Sequence, residues 1–244
     1  HVAGYGASLH TVPFHGVHED LDALAAAAHE TAAAMVYVAN PDNPMGSWWD
    51  AEAVARFIDA VPESTMIVLD EAYGEFAPEG TLPPFELERR NLLRMRTFSK
   101  AYGMAGARVG YVIGHPDTVG PFDRIRNHFG INNMAQAGAI AALADQAHLQ
   151  QALAAVRDAL EDTAAIVRRH GLVPLPTATN FLAVNCGRDA AYAVAILEGL
   201  ARRGVFIRKP AAPGLDHHVR ISAGTADDRR LLDQALGEVL AELG

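Results

Sequence analysis

The sequence predicts an α/β fold: a mostly parallel sheet flanked by helices, followed by a smaller C-terminal α/β domain. Three observations predict it. Helical segments alternate with short apolar runs, as in parallel strands joined by crossover helices with both sheet faces covered. Gly, Pro and Asn gather in the connections, at "NPDNPMG" (40–46), "APEGTLPP" (77–84) and "KAYGMAG" (100–106). From about Asn132 the character shifts to long alanine-rich helical sequence and then to new strands.

Taken in order, the chain opens at His1 without an initiator methionine and runs into "AGYGASLHTVPF" (3–14), which reads as a helix end, a glycine turn and a short strand. That beginning predicts a fold entered midway and an N-terminal segment missing. Residues 19–34 carry acids in the first turn and high helix propensity, so they read as a helix, and "MVYVAN" (35–40) follows as a strand. Residues 49–61 read as helix, and "TMIVLD" (65–70), "NLLRMRTF" (91–98) and "ARVGYVIG" (107–114) as strands. One long helix is predicted from Asn132 to Arg169, then "HGLVPLPTATNFLAVNC" (170–186) and a strand-helix-strand-strand-helix run to the end. The predicted domains are residues 1–145, large, and 146–244, small.

With 244 residues, half of them hydrophobic, the chain can bury a sizeable core. A net charge of −9 with scattered Lys and Arg gives no footprint for nucleic acid or an anionic membrane. Small-molecule chemistry is the class that remains. The single cysteine, Cys186, excludes an internal disulfide and a multi-cysteine metal site, in keeping with a cytoplasmic location. The apolar stretches are broken by His, Glu and Asp, so no membrane span or signal peptide is predicted. Among the histidines, His10, His15, His18, His217 and His218 lack companion ligands at metal spacing and read as structural or surface residues.

The chemistry concentrates in two stretches. "VLDEAYGEF" (68–76) places Asp70 at the end of a buried strand, where an unpaired carboxylate is costly and calls for a cation. Glu71 beside it points to the opposite sheet face and has no predicted role. "TFSKAYGMAGARVGY" (97–111) places Lys100 between a strand and a glycine-rich turn, with Arg108 eight residues on.

Together with "NPDNPMG" at 40–46 and "HHVRISAG" at 217–224, these two stretches, in their order and separation, resemble the fold-type I, pyridoxal-phosphate-dependent aminotransferases of class I/II. The likeness covers nearly the whole chain and is greatest to the histidinol-phosphate aminotransferase group. It implies pyridoxal 5'-phosphate as cofactor, and the cofactor then supplies the cation that Asp70 needs: a protonated pyridine nitrogen. By the same resemblance Lys100 is the covalent anchor and proton carrier, while Tyr73 and Asn43 hydrogen-bond the cofactor's phenolic oxygen. Arg108, Thr97 and Ser99 are implied to hold its phosphate. Arg220 is implied to clamp the substrate carboxylate, Arg208 to approach a distal substrate phosphate with Lys209 as a competitor, and Asn180 to help position the substrate.

The implied reaction is transamination of an amino acid or amino alcohol phosphate with a 2-oxo acid acceptor, in a homodimer. A threonine-phosphate-type decarboxylase, an aminotransferase for aromatic or other amino acids, and a non-catalytic ligand-binding relic stand as alternatives. Where the histidinol-phosphate enzymes carry an aromatic-proline stretch, this chain has "RIRNHFGINNMAQAG" (124–138), in which His128 and Phe129 either line the substrate pocket or cap the interdomain helix.

Overall fold

A computed structural model describes residues 2–244. The elements run α1 (Leu21–Glu30), β1 (Met35–Ala39), α2 (Ala51–Ala60), β2 (Met66–Asp70), β3 (Leu92–Thr97), β4 (Gly110–Gly114), α3 (Pro116–Val119), α4 (Phe122–Ile125), α5 (Asn133–Ala144), α6 (Gln146–Arg169), β5 (Val173–Pro174), β6 (Phe181–Asn185), α7 (Ala190–Arg202), β7 (His218–Ser222) and α8 (Ala226–Leu243). Side-chain caps set the helix starts. Asp20, Asp50, Asn132 and Asp189 each accept the backbone N–H three residues on, and Thr225 forms a capping box with Asp228.

The first sheet has the order β1-β2-β3-β4, with β1, β2 and β3 parallel and β4 antiparallel to β3. The second has the order β5-β6-β7 and is antiparallel. On the first sheet Val36, Val38, Ile67, Leu69 and Leu92 pack against Leu21 and Ala25 of α1 and Val54, Phe57 and Ile58 of α2. A second core joins Val167 of α6, Val184 of β6, Ile196 and Leu200 of α7, and Leu236 and Val239 of α8. Full burial of each such side chain contributes about 1.5–3 kcal/mol.

Among the described residues α1 and α2 lie on the same side of the first sheet, and the β2-to-β3 crossover carries a single 3-10 turn, Gly74–Phe76, in place of a helix. On the face opposite these helices Met35, Tyr37 and Met95 are 58%, 55% and 38% exposed. Two expectations need correction. The long helix from Asn132 is two helices, because Asp145 leaves helical geometry (φ −92°, ψ 69°), ends α5 and caps α6 by accepting from His148 N–H. Residues 3–14 form a 3-10 turn, Ala3–Tyr5, and then irregular chain instead of a strand; the nearest pairing is an isolated bridge between His15 and His18.

The loop after β1 joins the two sheets. Met45 is buried with Ala183 of β6 and Leu215, and Gly46 C=O accepts from Ala178 N–H at 2.8 Å. Gly46 has φ +75°, and a Cβ there would collide with Thr177 Oγ1, so only glycine allows this approach.

Candidate functional site

The parallel strands β1, β2 and β3 all end on one edge, and the loops leaving that edge carry Asn43, Asp70 to Tyr73, and Lys100. This edge is where open α/β sheets hold ligands. Asp70 is the last residue of β2 and lies on the sheet face opposite α1 and α2. Its Oδ2 accepts from Tyr37 Oη at 2.5 Å and its Oδ1 from Ala72 N–H at 2.9 Å. Among the described residues no Lys, Arg or His pairs with it, so the cation expected there does not come from these side chains.

Lys100 follows β3, with Nζ 5.2 Å from the centre of the buried Tyr73 ring. Tyr73 meets Phe181 of β6 edge to face, ring centres 5.4 Å apart at 88°. Phe181 in turn lies under Arg220 of β7, whose Cζ is 4.6 Å from the ring centre, and Arg220 Nη1 donates to Asn43 Oδ1. Lys100, Tyr73, Arg220 and Asn43 are thereby brought into one continuous chain of contacts through Phe181. Sequence reasoning missed Phe181, which reads only as an aromatic at a strand start. Arg220 Nε is buried without a hydrogen-bond partner, which leaves a cationic donor for a ligand oxygen.

Arg208 sits opposite Arg220 in an antiparallel bridge, the two residues exchanging N–H···O=C bonds at 3.0 and 2.7 Å. Residues so paired project to the same face of a sheet, so two cations stand side by side there. Thr97 ends β3, and its Oγ1 accepts from Ser99 N–H at 3.0 Å. Arg108 is exposed and in the left-handed region (φ +53°), with Nη1 donating to Ala105 C=O at 2.8 Å. Such backbone strain in a non-glycine residue clusters at ligand sites. Asn180 precedes β6 and its C=O accepts from Ala223 N–H at 2.9 Å. His128 and Phe129 lie in the exposed connection before α5, with Phe129 94% exposed.

Sequence reasoning missed two groups of acids. Behind Asp70, on the helix-covered face, Glu71 is wholly buried and accepts from Arg94 Nε at 3.0 Å and Arg96 Nε at 2.7 Å. Arg94 also donates to Pro83 and Pro84 C=O at 2.8 and 2.9 Å, tying the long β2-to-β3 connection to the strand end. Two arginines two residues apart within an apolar run were the available signal. Glu19 and Asp42 flank the site on the other side. Burial, reinforced by the Asp42 charge, pushes the Glu19 carboxyl up to about 8; burial raises Asp42 to about 6 against its bonds from Met45 and Asn43 N–H.

The residues present fit a cationic, phosphorylated ring: Asp70 has no cationic partner, Arg220 has an unused donor, and the hydroxyl-bearing Thr97 and Ser99 lie in the turn that carries Lys100. No helix among the described residues is long and apolar enough to cross a membrane.

Comparison with known proteins places the chain in a family. The chain is 36% identical over 97% of its length to histidinol-phosphate aminotransferase 1 of Nitrosococcus oceani, and spans 64% of that relative. The crystal structure of histidinol-phosphate aminotransferase from Sinorhizobium meliloti in complex with pyridoxal-5'-phosphate superimposes with a TM-score of 0.98 at 50% identity, covering 100% of this chain and 67% of that one. L-threonine-O-3-phosphate decarboxylase from Porphyromonas gingivalis superimposes with a TM-score of 0.71 at 25% identity, covering 85% of this chain and 64% of that one. The family profile described as aminotransferase class I and II matches residues 2–238, and the chain, with its lysine, aspartate and paired arginines on that fold, belongs to this family.

Proposed function

We propose that this chain is the larger part of a pyridoxal-phosphate-dependent aminotransferase of the histidinol-phosphate type, acting on an amino acid or amino alcohol phosphate with a 2-oxo acid as acceptor. The observation that carries the reading is Asp70, held by Tyr37 and Ala72 with no cationic partner, on the edge where Lys100 and Tyr73 meet. The 50% identity to the cofactor-bound S. meliloti enzyme supports it.

When bound, the cofactor supplies an electron-withdrawing ring that stabilises negative charge at the substrate α-carbon. Asp70 holds the proton on the ring nitrogen. Lys100 anchors the cofactor and carries the proton to and from the substrate carbon through Nζ. The Tyr73 hydroxyl and the Asn43 amide, whose Oδ1 is already engaged by Arg220, donate to the phenolic oxygen. Thr97, Ser99 and Arg108 hold the phosphate. Arg220 orients the substrate carboxylate through its unused Nε, Arg208 beside it receives a second, distal anion, and Asn180 positions the substrate.

In this reading residues 1–145 are the cofactor-binding unit and 146–244 the smaller unit that brings the arginines, in a cytoplasmic homodimer. The likeness to the P. gingivalis enzyme favours decarboxylation of a phosphorylated amino acid as the second reading. The chain contains two lysines, Lys100 and Lys209, so covalent labelling is decisive. Borohydride reduction with bound cofactor is expected to add its mass to the Lys100 peptide; mass on Lys209 overturns the assignment. A donor screen monitoring either the keto product or carbon dioxide separates the two reactions.

A further inference from the structure

We propose that Tyr37 is a positioning residue for the reaction, fixing the Asp70 carboxylate in the orientation in which it meets the cofactor's ring nitrogen. The inference rests on the aminotransferase reading above. On the sheet face opposite α1 and α2 Ala39 is the register partner of Asp70 and Tyr37 that of Val68, so the Tyr37 ring lies one diagonal step from Asp70. An aromatic side chain reaches across such a step, and the hydroxyl arrives 2.5 Å from Oδ2. With Ala72 N–H on Oδ1 at 2.9 Å, each oxygen of the carboxylate is held by one donor, and rotation about its last bond is blocked.

The phenol is set up to stay a donor. The residue as a whole is 55% exposed, but partial desolvation, the bond to Asp70 and the charges of Asp70, Glu19 and Asp42 all raise the pKa of its hydroxyl above the ordinary tyrosine value. A donor that never ionises at physiological pH adds no negative charge beside Asp70. The carboxylate thus keeps its charge for the ring nitrogen while losing its freedom to turn. Replacing Tyr37 leaves Asp70 charged but held on one side only.

Two measurements test this. In the cofactor-free chain, 13C-labelled tyrosine NMR is expected to show Tyr37 titrating well above the ordinary value, and at lower pH in Asp70→Asn; a Tyr37 that titrates identically in both overturns the hydrogen bond itself. In the holoenzyme with 15N-labelled pyridoxal phosphate, Tyr37→Phe is expected to move the ring-nitrogen resonance part of the way toward its position in Asp70→Asn. The kcat is expected to fall about tenfold or more with little change in donor KM. A ring-nitrogen signal and kcat in Tyr37→Phe equal to those of the native enzyme overturn the positioning role. Failure of the aminotransferase reading looks different: Asp70→Asn itself then leaves the ring nitrogen unmoved. Should Tyr37→Phe not load cofactor, Tyr37→His, which keeps a ring donor, is expected to retain a near-native resonance, and a fully shifted one overturns the proposal.

Discussion

Arg220 and Asn43, 177 residues apart in sequence, are joined by a hydrogen bond from guanidinium to amide oxygen. That contact makes one site of two sheets, because Asn43 leaves the end of β1 and Arg220 lies in the middle of β7. It also occupies one prong of the guanidinium, while Nε stays buried and free.

The two arginines are therefore expected to separate by substrate. Arg220→Lys replaces a planar fork with a point charge and should lower kcat/KM about tenfold to a hundredfold for every donor with an α-carboxylate. Arg208→Ala should weaken only donors with a second, distal anion. Steady-state kinetics with donors matched in size but differing in the distal charge check this, and equal losses across the set for Arg208→Ala would remove its specificity role.

Glu71 compensates two guanidinium groups at once, with Arg94 almost as deeply buried as itself. Glu71→Gln preserves shape but leaves those cations unpaired in a low-dielectric setting, at a cost of about 3 kcal/mol or more. Adding Arg94→Met should recover part of the loss. Denaturant unfolding of the single and double variants measures both, and a Glu71→Gln loss below about 1 kcal/mol would show the cluster to be dispensable.

Glu19 gives a pH signature. Its folded pKa of about 8 lies above the 4.5 of an ordinary glutamate, so between those values the unfolded chain has released the proton while the folded one retains it. Stability from this group is complete below the unfolded pKa and is lost as pH rises toward 8, by at most about 1.4 kcal/mol per pH unit. Glu19→Gln keeps an acceptor for Ala39 N–H and should be more stable than the native chain at pH 8.5, with little difference at pH 4.5. Thermal unfolding at the two pH values checks it; a gap that does not widen with pH would place Glu19 in a wetter setting.

Local sequence determined the parts of this protein whose physics is local. Strand and helix periodicity placed β1 to β4 and α1 and α2, since alternation of burial along five or six residues and acidic first turns need no partner to be read. The motifs around Asn43, Asp70 and Lys100 were legible because each is a short run of special residues at or just past a strand end, and the one around Arg220 because a charged residue interrupts an apolar strand. The tertiary structure alone decided which face of the first sheet α1 and α2 cover, which depends on where the crossovers pass and not on the strands themselves. It alone decided the break at Asp145, where an aspartate serves as a cap although both flanking sequences favour helix. The same holds for Tyr37, Glu71 and Phe181. Their hydrogen bonds, ion pairs and ring contacts join residues 23 to 108 positions apart, and a pairing over such separations is fixed by strand register and packing rather than by any neighbouring residue.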